Sequence, residues 1–236
     1  MKNKLKAPIV EVFTSIQGEG PSIGHPVVFV RFYGCNLRCK FSDGRCDTPY
    51  AVFTEEDKVK FMDVQILANV IRKFPFTHIV FTGGEPTLYQ DYIVKLIDEL
   101  RSEDDIFTFE VETNGTINIS DSFRMRIDWF NISLKLKSSR QENKKMDKLR
   151  INDVAIKTFP VYKSCFKFVV STQDDIDEIE VLSERYSSIP VYLMPLGETR
   201  EEQLKNMSNV AEWCMIHGWN MSFRAHILLW DKKRGV

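Results

Sequence analysis

Three cysteines fall inside one short stretch: Cys35-Asn-Leu-Arg-Cys39, then six residues, then Cys46-Asp-Thr. Three thiolates on one loop can wrap a single metal centre. A structural zinc site wants four protein ligands, and His25 or His226 could complete such a set. Three thiolates alone suit an iron–sulfur cluster with one iron left open for a small ligand. Cys165 and Cys214 stand apart, in a strand pattern and a helix pattern, and read as core thiols. The odd total and the clustering argue for metal ligation over disulfides. Arg31 sits in an otherwise apolar run (VVFVRFY), where a cation is costly unless paired, so a functional anion partner is expected.

These residues need a scaffold, and the pattern supplies one. Apolar runs at 27–33, 78–81, 106–111, 129–134, 165–170 and 191–194 read as strands. Between them lie helical patterns: one capped by Asp63 through about Phe74, one capped by Thr87, one from Thr172 to about Tyr186, and one from about Thr199 to His217. Residues 34–61 read as a long loop, 135–150 as a loop with at most a short helix, and the tail MSFRAHILLW as extended. Strands alternating with helices make an α/β fold, a parallel sheet or barrel. TGGEP, ETNGT, SLKLK and MPLG all follow strand ends, where α/β barrels build their sites.

Composition bounds the remainder. Of 236 residues, 43% are hydrophobic and 12% aromatic, enough for a core and against disorder. Lys and Arg total 32 against 33 Asp and Glu, which gives no electrostatic case for a nucleic-acid partner or a membrane surface. No apolar run approaches the ~20 residues that span a bilayer, and no apolar segment follows the basic N-terminus. The expectation is a cytoplasmic protein with one domain over 1–236, bound to neither nucleic acid nor membrane.

GCNLRC followed by CDT, with TGGEP some way on, resembles the radical S-adenosyl-L-methionine (SAM) superfamily. That signature spaces its cysteines by three and then two residues. Here the second gap is six. With Lys40-Phe41 in the usual variable-aromatic place, residues 42–45 are an insertion, and its Asp-Gly is a turn signal, so it can bulge out without moving the sulfur. SIQGEG, CDTPY, FTGGEP, ETNGT, ISLK and the tail HILLWDKKRGV together resemble, more narrowly, the 7-carboxy-7-deazaguanine synthases of the queuosine and 7-deazapurine pathway, from about Val10 to the C-terminus.

The resemblance implies a single partial (βα) barrel and a lyase. Cys35, Cys39 and Cys46 would hold a 4Fe-4S cluster, and Thr48 would bind Mg2+. SAM would contact Asp47, Gly83, Gly84, Glu85, Glu112, Asn114, Ser133, Leu134, Lys135, Met194, Pro195, Leu196 and Gly197. Leu134 replaces a family proline, which puts the stiffness of that loop in question. For Glu112 and Asn114, ribose contact and structural capping are both open. The substrate would be 6-carboxy-5,6,7,8-tetrahydropterin, its carboxylate clamped by Arg31. Ile16, Gln17, Gly18, Glu19 and Thr82 would meet the pterin, with the C-terminal carboxylate of Val236. His226 is either a substrate contact or a packed residue of a closing strand. An external electron donor and a homodimer are further implied. Two rival readings stand: a glycyl-radical-enzyme activase, and a non-catalytic zinc-binding module.

Overall fold

The computed structural model describes residues 5–41, 44–46, 48–53, 59–102 and 106–233. Its strands are β1 (Lys6–Ile16), β2 (Pro26–Phe32), β3 (Lys40–Phe41), β4 (Gly44–Arg45), β5 (Lys60–Asp63), β6 (His78–Gly83), β7 (Thr108–Thr113), β8 (Trp129–Ile132), β9 (Ser164–Val170), β10 (Val191–Pro195) and β11 (Asn220–Met221). The helices are α1 (Val64–Ile71), α2 (Gln90–Arg101), α3 (Asp121–Arg126), α4 (Lys144–Leu149), α5 (Asp153–Ile156), α6 (Gln173–Arg185), α7 (Arg200–His217) and α8 (Ala225–Trp230).

One sheet runs β11-β10-β9-β8-β7-β6-β2-β1-β5. From β2 to β11 the pairs are parallel, and β1 and β5 are added antiparallel at one side. This is the α/β succession expected of a partial barrel. Residue alternation builds its two faces. Val28, Val30 and Phe32 of β2, Ile79 and Phe81 of β6, Phe109 and Val111 of β7, Phe130 and Ile132 of β8, and Phe166 and Phe168 of β9 form the core with Leu67, Leu96, Ile97 and Ile179 of the helices. The residues between them turn inward and are largely polar. Cys165 and Cys214 are buried thiols, as expected.

Local signals explain most boundaries. Asp63 caps α1 through the Ile66 amide at 2.9 Å. Thr172 and Thr199 close capping boxes with Asp175 and Glu202. Three expectations are corrected. Thr87 does not cap α2: Glu85 caps a 3-10 turn over Pro86–Tyr89, because Pro86 favours the first helical position and Glu85 supplies the acceptor. The 34–61 stretch is more than a loop, since it contains β3, β4, a 3-10 turn at Pro49–Ala51 and the start of β5. The tail is not extended: after the short β11, the Arg224 carbonyl receives the Ile227 and Leu228 amides at 2.9 and 3.2 Å and α8 begins. Short apolar runs do not separate strand from helix by periodicity. β1, assigned no element from pattern, joins β2 across a bulge near Ile9 and Glu11.

Candidate active site

A cavity of about 350 Å³ lies at the ends of β2, β6 and β7, with β1 along one wall. Cys35, Cys39 and Cys46 all line it, and none of them is in a disulfide. Cys39 enters the β3–β4 hairpin and Cys46 leaves it. Lys40 pairs with Arg45, and one step further the Cys46 amide donates to the Cys39 carbonyl at 3.2 Å. Opposed residues of an antiparallel ladder put their side chains on one face. The insertion therefore supplies the second strand of a hairpin and leaves both cysteines at its open end. Burial, with Glu85 nearby, pushes the Cys35 thiol up to about 11, so that proton must be displaced when a metal binds. Among the described residues no three His, Cys, Asp or Glu side chains are grouped as a single ion would need. Three thiols lining one cavity are a donor set that fits a 4Fe-4S cluster with one open iron.

TGGEP packs directly against the start of the cysteine loop. The Gly84 amide donates to Phe32 O at 3.1 Å and the Glu85 amide to Gly34 O at 2.8 Å. A Cβ on Gly84 would lie 2.0 Å from Gly34 O, so glycine is required for two chain segments to approach. Glu85 is fully buried and lines no described cavity. Its carboxylate receives the Thr87 amide and hydroxyl, the Thr113 hydroxyl and the Asn114 amide at 2.6–3.0 Å. Burial nevertheless holds its pKa above the ordinary value. It thereby fixes the ETNGT turn to TGGEP. Asn114 in turn caps Thr116 and sends its amide to Asn36 at 2.9 Å.

The inner face carries a charge network that the motifs did not announce. Lys167, only 1% exposed, places Nζ 3.0 Å from Glu19 and 2.7 Å from Glu112. Arg224 holds the other Glu19 oxygen at 3.1 Å and Gly197 O at 3.2 Å. Gln17 donates to Glu110 at 2.8 Å and Glu112 at 3.2 Å, and Asn131 donates to the same two carboxylates. His78 meets the second Glu110 oxygen at 3.2 Å. Burial opposes every charge here. Lys167 and Arg224 overcome it for Glu19, which lies well below the usual carboxylate range. The His78 and Ser22 hydrogen bonds do so for Glu110. Glu112 goes the other way: burial, with Glu110 and Glu19 adding to it, pushes it up to about 7 despite Lys167. Glu110, Asn131, Lys167 and Arg224 were missed from sequence. A signal existed for the strand residues: each is a polar residue in an apolar strand, the argument applied to Arg31 alone.

The anion paired with Arg31 is Glu11 of the chain itself. The Arg31 Nε lies 2.7 Å from Glu11, its guanidinium sits over Phe13 and Tyr50 at 5.7 and 5.5 Å, and Tyr50 also reaches Glu11 at 3.4 Å. Ile16, Gln17, Gly18, Glu19, Thr48, Thr82, Gly83, Glu112, Asn114, Ser133, Lys135 and His226 share the cavity with it. His226 stands at the start of α8 rather than in a closing strand, packed so closely on Gly18 that a Cβ there would be 2.3 Å from its ring. Lys135 Nζ meets Ser133 Oγ at 3.0 Å. A smaller recess of about 120 Å³ shares Cys39, Cys46, Ser133 and Lys135 and is lined by Leu134, Met194, Leu196 and Gly197. Pro195 lines neither; its carbonyl accepts from Gln203 at 3.0 Å. Asp47 and Val236 lie outside the described residues.

Comparison with known proteins shows the family. Residues 29–157 match the radical SAM superfamily model. The chain is 32% identical over 235 residues to a 7-carboxy-7-deazaguanine synthase of Pyrobaculum aerophilum, covering 96% of each. It is 34% identical over 248 residues to the enzyme of that name from Halobacterium salinarum, covering 95% of this chain and 90% of that one. The crystal structure of QueE from Escherichia coli superposes with a TM-score of 0.68 at 24% identity, over 94% of this chain and 95% of that one, and shares the fold. A radical SAM model over more than half the chain, and relatives of one name over nearly all of it, make this protein a member of the radical SAM superfamily and, within it, of the 7-carboxy-7-deazaguanine synthase family.

Proposed function

We propose that this chain converts 6-carboxy-5,6,7,8-tetrahydropterin to 7-carboxy-7-deazaguanine with loss of ammonia, as a radical SAM carbon–nitrogen lyase. The observation that carries the reading is one cavity shared by three cysteines, a pre-oriented arginine and an interlocked set of carboxylates. Cys35, Cys39 and Cys46 would hold the 4Fe-4S cluster. When bound, the reduced cluster and SAM supply the hydrogen-abstracting chemistry.

The chain's residues position and shield. Glu11 orients Arg31 through its Nε, and the guanidinium forks onto the substrate carboxylate. Phe13, Phe29 and Tyr50 line the same wall and keep water from that pair. Glu19 and Glu112, fixed by Lys167, accept from the N–H groups of the pterin's aminopyrimidinone edge. Thr82 and His226 bound the pterin, Thr48 offers an oxygen to Mg2+, and Ser133 and Lys135 with the Met194–Gly197 turn flank SAM. The protein works as a single domain over 1–236, as a cytoplasmic homodimer reduced by an external electron donor. No helix among the described residues is long and apolar enough to cross a membrane.

The test is direct. Anaerobically reconstituted protein should be brown with about four irons per chain. With reductant, SAM, Mg2+ and the carboxytetrahydropterin it should yield the deazaguanine by mass. Colourless protein carrying one zinc would sink the enzyme reading. SAM cleavage without that product would move the reading to another radical SAM reaction, such as glycyl-radical-enzyme activation.

A further inference from the structure

The segment after β8 reaches the cysteine loop and touches it in three places. Leu136 is anchored in the core and Ser139 is 2% exposed, so residues 136–139 are fixed. Arg140 then takes a positive φ of 25°, a conformation side-chain-bearing residues adopt only when their surroundings impose it. That turn presents the Arg140 carbonyl to the Lys40 amide at 2.9 Å and pairs Gln141 with Cys39 in an isolated antiparallel bridge. The Gln141 side chain completes the clasp. Its Oε1 accepts the Arg38 amide at 3.0 Å, and its Nε2 lies 3.3 Å from Cys39 Sγ.

The amide orientation is not arbitrary. A backbone N–H only donates, so the atom facing Arg38 must be the carboxamide oxygen, and the NH2 must face the sulfur. Nε2 also reaches Ser139 Oγ at 3.3 Å. One side chain thus ties the backbone before Cys39 and donates to its sulfur. An N–H aimed at a ligand sulfur stabilises added negative charge on an iron–sulfur cluster, and hydrogen bonds to the sulfurs are among the features that set its potential.

We propose that Gln141 is a positioning residue for the cluster: its carboxamide donates to the Cys39 sulfur, raises the reduction potential of the cluster Cys39 helps to hold, and fixes the loop that carries it. The inference rests on Cys39 being a cluster ligand. The residue acts from a strap outside the motifs, and it lines neither the main cavity nor the smaller recess.

Two variants separate the two jobs. Gln141→Glu keeps an oxygen for the Arg38 amide but offers the sulfur no donor and adds charge. Gln141→Leu removes both. In reconstituted protein without SAM, potentiometry followed by electron paramagnetic resonance should give a more negative midpoint for both variants than for the wild type, at unchanged iron content. In metal-free protein, hydrogen exchange at the Arg38 amide should quicken in Gln141→Leu and stay slow in Gln141→Glu, a readout that holds even where a variant takes up less iron. Midpoints equal to wild type with four irons bound would overturn the donor role, and Arg38 exchange unchanged in Gln141→Leu would overturn the clasp. Wild-type protein that takes up no iron would instead defeat the cysteine assignment beneath both.

Discussion

The two faces of the sheet are cut from the same strands and obey opposite rules. Along β7, Phe109 and Val111 enter the core while Glu110 and Glu112 turn inward; along β9, Phe166 and Phe168 do so while Cys165 and Lys167 turn inward. The outer face is held by burial of apolar area, which is non-directional and tolerates exchanges of similar volume at under about 1.5 kcal/mol. The inner face is held by reciprocal pairing: Lys167 faces two carboxylates, and each of Gln17 and Asn131 bridges Glu110 and Glu112. Removing one member there leaves an uncompensated buried charge. Apolar packing could have filled that space with less penalty. The difference teaches that the outer face makes the fold and the inner face spends some of its stability on a preformed, charged recess.

That contrast can be broken or sharpened. The largest effect is expected at the thiols: Cys46→Ala should lose cluster iron and bring SAM cleavage to background, with near-normal urea unfolding of the metal-free chain. On the outer face, Phe109→Ala should cost about 3–5 kcal/mol in urea unfolding. On the inner face, Lys167→Met should cost about 3 kcal/mol, since Glu112 then loses its cation and Glu19 keeps only Arg224. Adding Glu112→Gln should recover part of that loss, whereas adding it to Phe109→Ala should be additive; equal coupling in both double mutants would erase the distinction. Arg31→Lys should keep the iron and raise the KM for the carboxytetrahydropterin about ten- to a hundredfold, the share of a lost charged hydrogen bond.

A further expectation is a pH dependence. Glu112 is raised in the folded state to about 7, so the fold binds a proton there that the unfolded chain has released. Its contribution is present below the ordinary carboxylate pKa of about 4.3 and is lost as pH rises through about 7. Wild-type melting temperature should therefore decline across that window by more than that of Glu112→Gln, in scans of both proteins from pH 5 to about 8.

Sequence legibility followed the same divide. The outer face was readable because the apolar runs that hold Phe109, Phe130 and Phe166 each mark a strand locally. Caps at Asp63, Thr172 and Thr199 were readable because they act within one turn. The thiols, Arg31 and the loop motifs were readable as types and spacings, and all those described except Glu85 and Pro195 line the two connected recesses. Lys167 and Glu112 were harder, because the partners that give them meaning come from strands 55 residues apart. Glu11 and Gln141 were invisible for the same reason, since nothing near them in sequence says they reach Arg31 and Cys39. The α8 helix was misread because ILLW is too short to reveal a period.

The β3–β4 hairpin bears on how such chains are recognised. A ribbon of two paired strands can grow or shrink at its tip while its base stays where it is. Relatives with longer or shorter stretches between their second and third thiols can therefore keep one inorganic centre in one place. A search that demands a fixed count of intervening residues will pass over them, and one that asks whether the flanking positions can close a ladder will not.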